Sequence, residues 1–417
     1  MRWLVWILGC ELFTVAAQPP SPAPSAEQAM RLVASERATE AEQMLTTLER
    51  ANPGDVEIQY RLGLVLLRNG KPKPALRRLE SAAKRASDPL VWLALAQARL
   101  RLDDLSGALA AAGHAGLGAP SQPALARALI LFDAEVIKYH LRKGEAPQAL
   151  DLSKQALAKS NLAVFHNLLG QAHELNHDPS LAAAELQQAI RLDPNQPKHY
   201  LDLAELFLNH NTPEPAELVL RGAVHRFPQN AETLRLLGLA HYASGKTEAA
   251  LDAFLQAIDM APEMESAYAS LETLLPSAGG RVVEIVPRLR QFTTTRPSSP
   301  LGPYLLALIL PEESEALLRK AIGRSPDFWP AWFQLHKTLK TREKWDEAAA
   351  ALRKTIALKP DCAPAHYALA EYYNRRGDRD RAAQERERHH KLLLEQRAAA
   401  ERQRAEAPRL VYTLSER

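Results

Sequence analysis

Apolar and small residues recur along this chain at helical spacing and, over most of its length, at a second and longer period. Between Pro197 and Pro262 the longer period is read directly. Tyr200, Leu203, Ala204, Phe207, Ala216, Leu220, Ala223 and Pro228 are followed, each 34 residues later, by Leu234, Leu237, Gly238, His241, Ala250, Phe254, Ala257 and Pro262. Offsets of three and four put the large residues on one stripe of a first helix, and Ala216, Leu220 and Ala223 do the same for a second. The small residues let two antiparallel helices approach closely, and the prolines mark where each unit stops.

The same spacing extends in both directions. Ala41, Leu45, Leu48 and Pro53 supply a second helix whose partner is poorly defined. Leu62, Gly63, Leu66, Ala75, Leu79 and Ala82 form the next unit, and Trp92, Leu95, Ala96, Ala108, Ala115 and Pro120 the one after. Beyond Pro120 the register slips by about one and a half turns, because residues 122–142 read as one long helix. Leu169, Gly170, His173, Ala182, Leu186, Ala189 and Pro194 restore it. Tyr268 and Leu271 open another unit that Pro276, Gly279, Gly280 and Pro287 are expected to interrupt, followed by a polar Pro/Ser/Thr stretch over 293–303. A short unit ends at Ala321 and Pro326; Trp332, Leu335, Leu339, Ala348, Leu352 and Pro360 match again, as do Leu369, Ala370, Tyr373, Gly377 and Ala382. Residues 379–406 alternate Arg, Glu, Gln and Ala and read as a capping helix with one face in water.

This pattern resembles the tetratricopeptide repeat (TPR) family, whose spacing of large, Leu, small, aromatic, then Ala, large, Ala and Pro these residues reproduce. The resemblance covers most of residues 26–390, about ten or eleven units. It implies an all-α, right-handed superhelical solenoid of helix-turn-helix repeats with a C-terminal capping helix. The expected divisions are a regular part over 26–262, divergent or shortened repeats over 263–326, C-terminal repeats over 327–390, and the charged end of the cap with a tail over 391–417.

Composition narrows the picture little further. The 417 residues carry a formal net charge of +3, without the basic excess expected of a nucleic-acid binder. Two cysteines, Cys10 and Cys362, make neither a disulfide framework nor a multi-cysteine zinc site. Residues 1–17 read as a signal peptide: a positive start at Arg2, an apolar run from Trp3 to Cys10 broken by Glu11, and small residues at Val15, Ala16 and Ala17. Ile7-Leu8-Gly9-Cys10 also looks like a bacterial lipobox, which would place a lipid anchor on Cys10. A Pro-rich linker follows over 18–25. The expectation is an exported protein, periplasmic or extracellular, with no membrane span after cleavage, and a cytoplasmic one if the signal does not function.

One motif points to chemistry. His173-Glu174-Leu175-Asn176-His177 fits H-E-x-x-H, in which two histidines on one helix face hold zinc and the glutamate activates water, as in a metallopeptidase. The repeat register opposes that reading. His173 takes the position where Tyr or Phe packs between helices, and His177 falls in the turn where Gly245 and Gly377 sit elsewhere. Adjacent His389 and His390 read as a solvated pair, and nucleic-acid binding through residues 375–409 is diluted by glutamates among the arginines. No cofactor and no catalysis are expected.

What the resemblance implies instead is a scaffold that binds peptide or helical segments of other proteins on its concave face. Carried onto this sequence, the inward positions are Gln97, Arg101, Lys138, Arg142, Asn167, Gln171, Glu205, Asn209, Arg235 and Tyr242. A Lys/Asn clamp for chaperone carboxylates would need Lys and Asn at Ala134, Lys138, Asn167, Gln171, Leu201 and Glu205 in an order this chain lacks. Envelope or secretion assembly is the expected setting.

Overall fold

The structure is a computed structural model that describes residues 25–118 and 122–406. The signal, the lipobox cysteine, nearly all of the Pro-rich linker and the last eleven residues therefore lie outside the described residues. Every regular element among the described residues is helical, and 22 α-helices follow one another in chain order. They fall into two compact units, Met1–His177 and Asp178–Arg417.

The first unit contains α1 (Ala26–Ala34), α2 (Ala38–Ala51), α3 (Val56–Arg68), α4 (Pro72–Ala83), α5 (Pro89–Leu100), α6 (Leu105–Gly116), α7 (Pro123–Lys143), α8 (Ala146–Lys159) and α9 (Ala163–Leu175). The helices pack as antiparallel pairs, α1 with α2, α3 with α4, α5 with α6 and α7 with α8. First helices also pack on first helices, α1 on α3, α3 on α5, α5 on α7 and α7 on α9, while each second helix lies between the first helices on either side of it. That asymmetry gathers the first helices on one side of the array. Ser25 starts the unit, its hydroxyl and the Gln28 side chain forming a reciprocal capping box on α1.

The second unit contains α10 (Pro179–Leu192), α11 (Pro197–Asn209), α12 (Pro213–Arg226), α13 (Ala231–Ala243), α14 (Thr247–Met260), α15 (Glu265–Leu271), α16 (Val282–Thr295), α17 (Leu301–Ile309), α18 (Ser314–Arg324), α19 (Trp329–Thr341), α20 (Trp345–Leu358), α21 (Ala363–Arg375) and α22 (Arg379–Glu406). Again α11 packs on α13, α13 on α15 and α15 on α17. The cap α22 lays its first half on α21, burying Ala382 and Leu392, and leaves Leu394 half exposed.

The pairs close through one contact. A Cβ added to Gly63 of α3 would lie 2.6 Å from Leu79 of α4, and one added to Gly238 of α13 would lie 2.5 Å from the Phe254 ring of α14. Both glycines precede their large partner by sixteen residues, as Ala204 precedes Leu220, and all these large side chains are essentially inaccessible to water. The helices come together because nothing projects from the first at that point.

A second constraint sets the turn inside each pair. Residues with positive φ occur at Glu36, Gly70, Asp103, Gly144, His177, Asn211, Gly245, Gly279, Glu343 and Gly377, most of them 33 or 34 apart. All but Gly279 follow the close-contact position by seven residues. The left-handed conformation turns the chain back after the first helix, and glycine takes it without steric cost. The interval from Asp103 to Gly144 is 41 residues. The register slip thus comes to seven added residues, close to two full turns, rather than one and a half, so the stripes of α7 still face their neighbours.

Two sequence expectations change. Pro276 and Gly279 do stop α15 at seven residues, followed by single 3₁₀ turns at Leu275–Ser277 and Gly279–Arg281. Pro287, however, lies inside α16 without ending it. Its missing N–H forfeits one bond, to the carbonyl of Val283, a residue 74 % exposed whose carbonyl water can satisfy. The polar stretch 293–303 is a structured junction: Thr293–Thr295 complete α16, while buried Leu301, Gly302 and Pro303 open α17. Ser299 ties it down, its hydroxyl 2.7 Å from Glu265 Oε1 and accepting the Leu301 N–H at 3.2 Å.

Two measurements test this packing. Gly238→Ala is expected to cost about 1–3 kcal/mol by overpacking, and Phe254→Leu in the same chain should recover part of it; urea unfolding of the single and double variants checks both. Glu343→Gly is expected to raise stability by about 0.5–1 kcal/mol, because glycine relieves a left-handed side chain, and His177→Gly should follow the same direction. A loss of stability in either glycine variant would show that the turn is held by those side chains.

Candidate binding face

The expected partner-binding residues all lie on or at the ends of first helices, six in the first unit and four in the second. In the first unit they share a line of mutually packed helices, α5, α7 and α9, but they are not equally free. Arg101, just past α5, donates to the Leu67 carbonyl at the end of α3, supplying an acceptor-rich helix end with a cation. Lys138 Nζ sits 2.8 Å from Glu135 Oε1. Asn167 is 3 % exposed and its Oδ1 accepts from Gln171 Nε2 at 2.8 Å, so Gln171 carries the polar surface there. Gln97 is half-buried, and Arg142 is exposed with no ion-pair partner among the described residues. Beside it, Lys143 reaches Asp103 at 3.1 Å and lies over the Tyr139 ring.

In the second unit, Glu205 and Asn209 are exposed on α11. Desolvation of its carboxyl end against the helix, with Asp202 adding its charge, pushes the Glu205 carboxyl above its ordinary value. Arg235 of α13 is paired within its own helix, its Nε 2.9 Å from Glu232 Oε2. Tyr242 stands 44 % exposed at the end of the same helix. The exposed candidates of the two faces are therefore Arg142 in one unit, and Glu205, Asn209 and Tyr242 in the other, a polar, mixed-charge surface suited to hydrogen bonding along a peptide.

Sequence reasoning did not find the carboxylates that hold repeats together. Glu42 of α2 receives Lys71 at 2.7 Å, Glu217 of α12 receives Lys246 at 2.7 Å, and Glu315 of α18 receives Lys344 at 3.0 Å. In all three the lysine lies 29 residues on, immediately after the turn of the next pair. That spacing is the signal that would have revealed them. Glu217 is 6 % exposed, and burial alone would raise its carboxyl. Lys246, with His241 and Arg221, more than offsets burial and holds it below its usual value. At Glu315 the Lys344 ammonium leads, and Arg319 and Arg342 add to it. These acids are occupied in packing and offer no general base.

The H-E-x-x-H segment does not form a ligand pair. Helix α9 ends at Leu175, Asn176 caps it, and His177 adopts φ 62°, so the second histidine is not one turn above the first on a common face. His173 is buried at 8 % exposure in the pair interior. Among the described residues, no group of three or more His, Cys, Asp or Glu side chains could hold a metal ion. His389 is not a solvated partner of His390. Its Nδ1 lies 2.9 Å from the Ala363 carbonyl and its ring 5.3 Å from that of Tyr367, because it docks α22 on α21. Among the described residues, no helix is long and apolar enough to cross a membrane.

Paired helices that close through a small residue, turn on a left-handed one and leave the first helices lined by polar groups define a helical-repeat protein. Models of the tetratricopeptide repeat match residues 32–98, 137–197, 201–265 and 337–388, together more than half of the chain, and the chain belongs to that family. No curated protein matches it significantly. Among solved structures it is similar to yeast Tom70 (16 % identity, 91 % of this chain and 94 % of that one, TM-score 0.47). It is also similar to the APC/C hetero-tetramer Cut9-Hcn1 (12 % identity, 88 % and 86 %, TM-score 0.42). A third is the C-terminal part of a TPR repeat-containing protein from Cytophaga hutchinsonii (17 % identity, 59 % and 99 %, TM-score 0.41). At these scores the family assignment rests on the repeat models and the helix pairs.

Proposed function

We propose that this chain is a non-catalytic scaffold that holds peptide or helical segments of partner proteins on the polar faces of its first helices, and that it works outside the cytoplasm in envelope or secretion assembly. The observation that carries the binding part is the succession of mutually packed first helices, whose exposed groups Arg142, Asn209 and Tyr242 are left uncovered by the other described residues of their unit. Membership of a family whose repeats bind other proteins supports the same reading. The export part rests on the basic start, apolar run and small residues of the first seventeen positions.

The test uses the full chain expressed in its own organism. Arg142→Glu and Tyr242→Ala are expected to remove specific partners from an affinity capture without changing far-UV circular dichroism, since both side chains stand clear of the pair interiors. Arg101 and Lys138 are poorer probes, because reversing either also breaks a structural bond. An unchanged set of captured proteins in both variants would overturn the binding face. Mass spectrometry of the mature chain is expected to find a new N-terminus near Gln18; a chain that retains Met1 would overturn export.

A further inference from the structure

The outer side of the first unit carries more positive charge than its own fold uses. The acids of its second helices, α2, α4, α6 and α8, are all engaged. Glu40 pairs with Arg37, Glu42 with Lys71, Glu49 with Arg78 and Glu80 with Arg99, and Asp151 accepts from Gln155. In or directly after the same helices Arg50, Lys73, Arg77, Lys84 and Lys154 are exposed, with no ion pair among the described residues. Lys73, Arg77 and Lys84 fall within about 40° of one another around α4 and form one stripe.

Beside this stripe the outer surface turns apolar. From Leu105 to Ala126 the chain has no Asp, Glu, Lys or Arg. Leu109, Ala110 and Gly113 of α6, and Leu117 directly after it, are exposed within about 100° of one another. Leu109 is 49 % and Leu117 83 % open to water. Arg99 of α5 joins the two helices, 3.3 Å from Glu80 of α4 and donating to the Gly107 carbonyl of α6 at 3.1 Å. The first helices here leave less free surface, since α3 and α5 bury most of their residues, Tyr60, Leu64, Leu90 and Leu93 among them.

We propose that this outer face lies on an anionic phospholipid surface, with the α4 cations against headgroup phosphates and Leu109 and Leu117 among the upper acyl chains. Charge complementarity selects a polyanion, and the apolar part of the face selects a bilayer among polyanions. Leu109 and Leu117 project past the small Ala110 and Gly113. A protein partner would need a matching apolar cavity for each, whereas acyl chains close around a side chain wherever it enters. A nucleic acid has nothing to set against α6, and a second copy of the same face would bring the α4 cations against each other. Two leucines and a short cationic stripe make a reversible, salt-sensitive attachment rather than an anchor. The polar residues of the first helices stay free of it, so lipid and protein partners do not compete.

The experiment is vesicle co-sedimentation of the chain from Gln18 onward, which keeps every described residue and removes the apolar run of residues 3–10. Vesicles of phosphatidylcholine alone are compared with vesicles of phosphatidylcholine and phosphatidylglycerol in equal parts. Binding to the anionic vesicles should be about tenfold tighter or more, and should weaken as salt rises. Lys73→Gln, Arg77→Gln and Lys84→Gln in one chain should remove that preference. Leu117→Asp should weaken binding by about tenfold while leaving urea unfolding unchanged, and Arg142→Glu should bind vesicles as the parent chain does. Absence of binding, equal binding to both kinds of vesicle, or binding indifferent to Leu117→Asp overturns the proposal. Binding of polyglutamate or of a single-stranded RNA in place of the vesicles also overturns it, because the stripe then serves another polyanion.

Discussion

The fold depends on one steric bargain, struck between a residue in the middle of each first helix and another sixteen positions later on the second. When the first is Gly63, Ala204 or Gly238, the second can be Leu79, Leu220 or Phe254, and the axes close to contact distance. The sum of the two volumes matters more than either one. In α7 the first residue is Ile137, and the residue at the opposing register, fully buried, has shrunk to Ser153. At His336 the larger residue is accommodated opposite an unshrunk Leu352, and both side chains are buried. Close packing makes this accounting strict, because interiors leave no slack for an unmatched methylene.

Once the pairs close this way, the rest of the architecture follows with few choices. A left-handed residue turns the chain seven positions after the contact, and a buried or partly buried carboxylate on the second helix takes up the lysine that follows the next turn. Glu42, Glu217 and Glu315 repeat that link at a constant interval, so neighbouring pairs are bolted by charge as well as by apolar contact. Such bonds consume carboxylates on the second helices and lysines at the turns. On the first helices Arg101, Lys138 and Arg235 are likewise spent, on Leu67, Glu135 and Glu232, whereas Arg142, Asn209 and Tyr242 remain exposed.

The helix pairs were legible in the sequence because each depends on short-range periodicity and on side-chain size, both of which a single chain displays. The long helix over 122–142 was legible for the same reason. The breaks were less so: Pro287 reads as an interruption, yet its lost bond falls on an exposed carbonyl. Ser299 reads as loop, yet it is buried against Glu265. The ten candidate positions lie on or at the ends of first helices. Their availability could not be read, because Arg101 and Lys138 spend their charge on Leu67 and Glu135, neighbours that only the folded arrangement identifies. His336 was overlooked because Trp332, Leu335 and Leu339 around it kept the repeat pattern intact.

The central claim is that the two positions sixteen residues apart share one interior space, and a double-mutant cycle on the pair that inverts the usual order tests it most directly. Ile137→Ala alone leaves a void and Ser153→Leu alone overfills the interface, so each should lower the urea-unfolding free energy of the first unit. The account predicts that the double variant is more stable than the two losses added together would make it, by about 1 kcal/mol or more of favourable coupling. Strictly additive losses would mean that these two positions do not share a volume, and that the close contact is not what holds the helices together.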